Sequence, residues 1–197
     1  MKKHFALCVL TVIVTLISCK KESNTDDNPT IEGTYKLKYL TSKTNSTIIG
    51  DDGEKAITTS DYTTIDNQGT IVFDNSNLSA TGLSYTVDTI ANVYLYQDNQ
   101  LINSSSYPFN FTLPASNSVA SYKLIGADSI YFPGGSLTAG VGGTGSIQAG
   151  PSGGRYTLAG NLLTLTQNVS KDSTFIESGV TFHMNESAVS SVVMEKQ

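Results

Sequence analysis

Few side chains in this chain could carry covalent or metal chemistry. There are two cysteines, Cys8 and Cys19, and two histidines, His4 and His183. A histidine-based metal site needs several ligands, and a serine–histidine nucleophile pair needs an acid to orient it. His183 stands between Phe182 and Met184 and reads as a strand residue facing water. Asp51, Asp52 and Glu54 surround Gly53 and gather the oxygens that calcium favours. Their spacing is not that of an EF-hand loop, and the segment reads as a solvated turn. No local pair of carboxylates suggests a glycosidase-type hydrolase. Gly140-Val141-Gly142-Gly143-Thr144-Gly145 spells a dinucleotide-binding motif. That motif requires a helix directly after it and an acidic residue about 20 positions on. Residues 146–154 are too rich in Gly and Pro to begin a helix, and Leu165 stands where the acid would be. The inventory predicts no cofactor, no metal site and no enzyme, with a hydrolase built on carboxylates distant in sequence as the one exception left open.

Cys19 has a different chemistry open to it. Lys2 and Lys3 precede an apolar run, residues 5–17, broken only by Thr11 and Thr15, and Ser18 is small, as a cleavage site must be. These are the parts of a secretory signal, and the run is shorter than the about 20 residues of a spanning helix. Leu16-Ile17-Ser18-Cys19 resembles the lipobox of bacterial lipoproteins. The resemblance implies that residues 1–18 are removed. Cys19 then becomes the first residue, and its thiol takes a diacylglycerol, carrying chains such as palmitate, through a thioether. Each buried methylene contributes about 0.8 kcal/mol, so several chains on one residue hold firmly where a single chain does not. The implied location is the cell envelope, as an outer-membrane lipoprotein facing the periplasm or the cell surface, with the membrane as a partner through Cys19.

Cleavage changes the charge and the redox character. Cys8 leaves with the signal and the lipid consumes Cys19, so no thiol is left for a disulfide or a nucleophile. Lys2 and Lys3 also leave. Lys and Arg fall from 12 to 10 against 17 Asp and Glu, and the net charge moves from −5 to −7. Nucleic-acid binding, which needs clustered cations, is not expected.

The elements that follow are strands. Residues 19–30 contain no large apolar residue, cannot contribute to a core, and read as a lipidated cysteine with a flexible tether. Residues 31–197 suffice for one domain. Apolar residues there alternate with period two: Tyr35, Leu37 and Tyr39; Ile71 and Phe73 after a turn at Asp66-Asn67-Gln68-Gly69; Leu83, Tyr85 and Val87; Phe109, Phe111 and Leu113 before Pro114. Turns are expected at Gln97-Asp98-Asn99-Gln100 and Gly126-Ala127-Asp128, and a hairpin joins Tyr156 and Leu158 to Leu163 and Leu165. Phe182 with Met184, and Val192 with Met194, read as two final strands, and residues 133–154 as one long loop. The prediction is an all-β fold, an antiparallel barrel of about eight strands, with a β-sandwich as the alternative.

A second resemblance points the same way. Gly33-Thr34-Tyr35-Lys36-Leu37 resembles the Gly-x-Trp opening of lipocalin-like domains, with Tyr35 in the Trp position. The pattern from Gly154 to Leu165 is similar to the middle hairpins of the lipocalin-like lipoproteins of Bacteroidetes. The resemblance implies a monomeric barrel that binds a small apolar or amphipathic ligand. Tyrosine presents a flat apolar body with a polar tip, and Tyr35, Tyr94, Tyr96, Phe111 and Tyr122 are the candidate ligand-binding residues. The alternative function is a surface interaction module for glycan or protein partners, without catalysis. Three triplets, Asp88-Thr89-Ile90, Asp128-Ser129-Ile130 and Asp172-Ser173-Thr174, resemble the O-glycosylation site of exported Bacteroidetes proteins.

Overall fold

The computed structural model describes residues 30–134 and 151–197. Cys19, the signal, the tether up to residue 29 and the glycine hexad all lie outside the described residues. Those described form ten strands and no helix: β1 (Gly33–Gly50), β2 (Glu54–Thr63), β3 (Ile65–Phe73), β4 (Asn77–Gln97), β5 (Gln100–Ser121), β6 (Lys123–Ile125), β7 (Ser129–Phe132), β8 (Ser152–Ala159), β9 (Leu162–Glu177) and β10 (Val180–Lys196). All belong to one antiparallel sheet.

The count of ten comes from two interruptions. β2 and β3 share one lane between β1 and β4. β1 pairs with β2 from Thr41 to Ile49 and with β3 from Gly33 to Lys36, and β4 pairs with the same two strands on the other side. Thr64 makes the break. Its hydroxyl accepts the Leu40 amide at 2.8 Å and donates to Asn67 Oδ1 at 2.6 Å. β5 and β6 are separated only by Tyr122. β5 pairs with β4, and β6 pairs with β7. The sheet therefore has eight lanes in up-and-down order, and β10 returns to pair with β1. It rolls into a partial ring whose seam at β6 and β7 is only three residue pairs long. Beyond that seam β1, β2, β4, β5, β9 and β10 run on as one layer.

Several local expectations are corrected. Asp66-Asn67-Gln68-Gly69 is not a reversal of the chain but a bulged stretch of β3, with Asp66 at φ 53° and register slips on both sides of Gln68. Gly69 is required there, because a Cβ would lie 2.7 Å from the Leu83 Cα of β4. In β1 an extra residue at Lys38 breaks the alternation, so Leu37 and Leu40 point inward and Tyr39 is exposed. β5 runs through Pro114 to Ser121, and Phe182 to Met194 is one strand, not two. The loop expected to reach Gly154 ends earlier, since Ser152, Gly153 and Gly154 pair with β7.

The core fills the ring. Tyr35, Phe73, Phe132, Ile71, Leu78, Ile130, Leu163 and Met194 are almost fully buried. Phe73 meets Tyr35 and Tyr122 edge-on, with ring centroids 5.7 and 5.5 Å apart, a geometry that adds to area burial. Tyr35 donates to the Ile31 carbonyl at 2.9 Å and Tyr122 to that of Asp74 at 2.6 Å. Both hydroxyls are thereby satisfied by backbone.

Candidate functional site

The five aromatic candidates do not converge. Tyr35 and Tyr122 pack against Phe73 inside the ring, with their polar tips already bound to backbone. Phe111, opposite Val87, packs against the lower edge of the same core. Tyr94 and Tyr96 lie far along β4 in the single-layer half, two residues apart and on one face of the strand.

Below the core the inward face turns polar. Gln167 stands opposite Ser190, Ser190 opposite Ser42, and Ser42 opposite Tyr62, a row across β9, β10, β1 and β2. Ser42 and Ser190 share a 2.8 Å hydrogen bond. Tyr85 is buried nearby, and its hydroxyl has no hydrogen-bond partner among the described residues. Burial pushes the Tyr85 pKa up, with a smaller contribution from Tyr62. Gln167 Nε2, on the other wall, is also without a partner among the described residues.

Past this row the strands form three adjacent hairpin tips. The β1–β2 turn holds Asp51, Asp52 and Gly53, and Gly53 N donates to the Gly50 carbonyl. The β4–β5 turn is Asp98-Asn99, both with positive φ, as a two-residue hairpin requires. Asp98 N donates to the Gly53 carbonyl at 3.1 Å, which ties these two tips together. The β9–β10 turn at Ser178-Gly179 lies alongside, joined to the first by Asp51 N to the Thr181 carbonyl at 3.0 Å.

A cleft of about 160 Å³ opens at these tips. Ile48, Ala56 and Leu95 stand directly opposite one another on β1, β2 and β4 and form its floor. Phe182 and Ile102 close two sides, and Glu54, Lys55 and Tyr96 complete the lining. Gly50 allows the Phe182 ring to lie across β1, because a Cβ there would come within 3.0 Å of it. Phe182 is stacked on Phe175 at 5.2 Å. Ile102 is set by a bulge, since Leu95 pairs with Asn103 while Tyr96 pairs with Leu101. Leu101 and Ile102 are 55% and 64% exposed. Lys55 Nζ sits 4.6 Å from the centre of the Tyr96 ring, a cation–π contact.

Of the cleft residues, only Tyr96 was among the ligand-binding candidates, and Glu54 was singled out only as part of the acidic turn. Phe182 read as an ordinary strand position, and Ile48, Leu95 and Ile102 were not singled out. The one available signal was Leu101-Ile102, two apolar residues together just after a turn, where strict alternation allows one. The other sequence features fall as follows. His183 is exposed on β10, with Nε2 3.6 Å from Asp51 Oδ1 and Nδ1 3.3 Å from Thr174 Oγ1. Asp51, Asp52 and Glu54 are a turn, and among the described residues no group of three or more His, Cys, Asp or Glu is placed to hold a metal. Thr89 and Ser173 lie within strands, with Thr89 donating to the Asp61 carbonyl, while Ser129 opens β7 and bonds to Asp128.

No protein-family profile matches the chain, and neither a curated protein nor a solved structure shows significant similarity to it.

Proposed function

We propose that this chain is a lipid-anchored, non-catalytic binding protein of the cell envelope, held at the outer membrane through Cys19. Its binding surface is the distal end of the sheet, where an apolar or amphipathic group enters the cleft. The observation that carries this reading is the apolar cleft itself, with Lys55 and Glu54 in its lining. Its volume suits one ring or one branched alkyl group, well below the about 300–1,000 Å³ of a pocket for a whole drug-sized ligand. The up-and-down order with first and last strands paired supports the lipocalin-like barrel. The core aromatics occupy the ring interior and leave the distal end as the accessible site. A surface interaction module is the second reading, favoured by the second edge of β5, which pairs with no described strand.

Two measurements test the reading. Mass spectrometry of the N-terminal peptide from membranes should find a diacylglyceryl group on Cys19; an unmodified, soluble chain would sink the anchor. Titration with small aromatic and alkyl fragments should shift the methyl resonances of Ile48, Leu95 and Ile102, and Leu95→Glu should abolish those shifts. Shifts confined to Ile130, Leu163 and Leu165 would move the site into the ring.

A further inference from the structure

Three features meet at the distal end, and together they describe an occupant. The first is the cleft, which takes one apolar side chain. The second is an unpaired strand edge. β5 is hydrogen-bonded to β4 alone among the described strands, so its second edge at Leu101 and Ile102 presents backbone donors and acceptors that are unpaired among the described residues. Such an edge accepts an extended chain by strand addition. The free stretch of β9 differs in being guarded by Lys171, Asp172 and Glu177, whereas no residue of β5 is charged. The third is the sign of the surrounding field. Asp51, Asp52, Glu54, Asp98 and Glu177 crowd the three joined turns, all exposed, and Lys55 is the one Lys or Arg on those turns, already engaged by Tyr96 and Asn99.

We infer that the distal end docks an extended peptide segment of a partner protein. The segment adds to the β5 edge, inserts one apolar side chain into the cleft, and carries lysine or arginine toward the turn carboxylates. This rests on the cleft being the binding surface and adds the chemistry of its occupant. An anionic segment or an anionic lipid surface would meet like charge at the tips. Charge at a rim acts mainly on encounter rate and discrimination, and it weakens with salt.

The chain contains no tryptophan, so a tryptophan in a probe peptide reports binding by itself. The probes are three seven-residue peptides with valines around a central tryptophan and flanks of lysine, glutamine or glutamate. Each is titrated onto the full lipidated chain in non-ionic detergent, with empty micelles as blank. The lysine probe should show a blue-shifted emission and bind at least tenfold tighter than the glutamate probe, and its affinity should fall as salt rises. A combined Asp51→Asn, Asp52→Asn and Asp98→Asn variant should bring the lysine probe down to the glutamine probe's affinity, and Leu95→Glu should weaken all three. Equal, salt-independent binding of all three probes, sensitive to Leu95→Glu, would overturn the basic partner while leaving the cleft reading standing. Lysine-probe binding untouched by either variant would place it elsewhere and overturn the inference. No binding by any probe, with a native far-ultraviolet spectrum, would remove both readings.

Discussion

The same strands build two different structures at their two ends. On its inward face β1 carries Tyr35, Leu37 and Leu40 inside the ring, then Thr44, Ser46 and Ile48 beyond it, and only the first three are buried. β4 changes from Leu83, Tyr85 and Val87 to Thr89, Ala91 and Val93. β10 reads backwards from Met194 and Val192 to Ala188, Glu186 and Met184. Within the ring an inward side chain meets the opposite wall and leaves water on all sides. In the single layer no wall faces it, so a large apolar residue would stay wet. A hydroxyl pair stands on that face instead, Thr44 with Ser60 at 2.7 Å, and on the opposite face Ser106 pairs with Asn92 and Asn185 with Asp172, each at 2.7 Å. Cross-strand pairs of this kind contribute only about 0.2–1 kcal/mol each. The ring therefore supplies the stability, and the distal layer is free to carry an accessible surface. The gradient runs along single strands, so cooperativity has to pass from one end to the other through the backbone ladder.

Breaking this comparison begins in the core. Phe73→Ala should cost about 3–5 kcal/mol, because it empties the middle of an aromatic cluster, whereas Leu95→Ala in the distal floor should cost about 1 kcal/mol or less. Urea unfolding of both variants checks it, and equal losses would mean that the distal layer is cored after all. A smaller effect sharpens the boundary between the halves. Tyr85→Phe removes a buried hydroxyl that has no partner among the described residues, and it should leave stability unchanged or raise it by up to about 1–3 kcal/mol, the cost of a buried unsatisfied polar group. A clear loss of stability would show that this hydroxyl makes a bond below the core. The smallest effect concerns alkaline pH. Burial pushes the Tyr122 hydroxyl up to about 12, with Glu32, Asp74 and Tyr35 adding to it. A tyrosine whose folded pKa exceeds its unfolded value of about 10 favours the fold in its neutral form. Its contribution is complete below pH 10 and fades as pH rises toward 12. Thermal melts should fall across that window in the wild type and fall less in Tyr122→Phe.

Much of the fold was legible because period-two alternation is a local signal. Leu83, Tyr85 and Val87 are all buried as the pattern required, and the hairpin from Tyr156 through Gly160 to Leu165 pairs as expected. The failures of phase share one cause. At Lys38, at Gln68 and at Ile102 an extra residue shifts the phase. A bulge depends on what the neighbouring strand needs, as Gly69 shows by fitting against Leu83. The candidate site was mostly hidden for the same reason. Tyr35 and Tyr94 are both tyrosines on alternating strands, yet one lies within the ring and the other beyond its edge.

By itself the sequence determined the strand character, the scarcity of catalytic groups, the acidic balance and the expectation of a lipid on Cys19, since each depends on residue type and short spacing. The tertiary structure alone decided where the ring ends. Closure is set by pairing between strands at opposite ends of the chain, β1 with β10, and by how short the β6–β7 hairpin is. It turned one set of aromatics into core and left Ile48, Leu95, Ile102 and Phe182, separated by up to 134 positions, to meet at a surface.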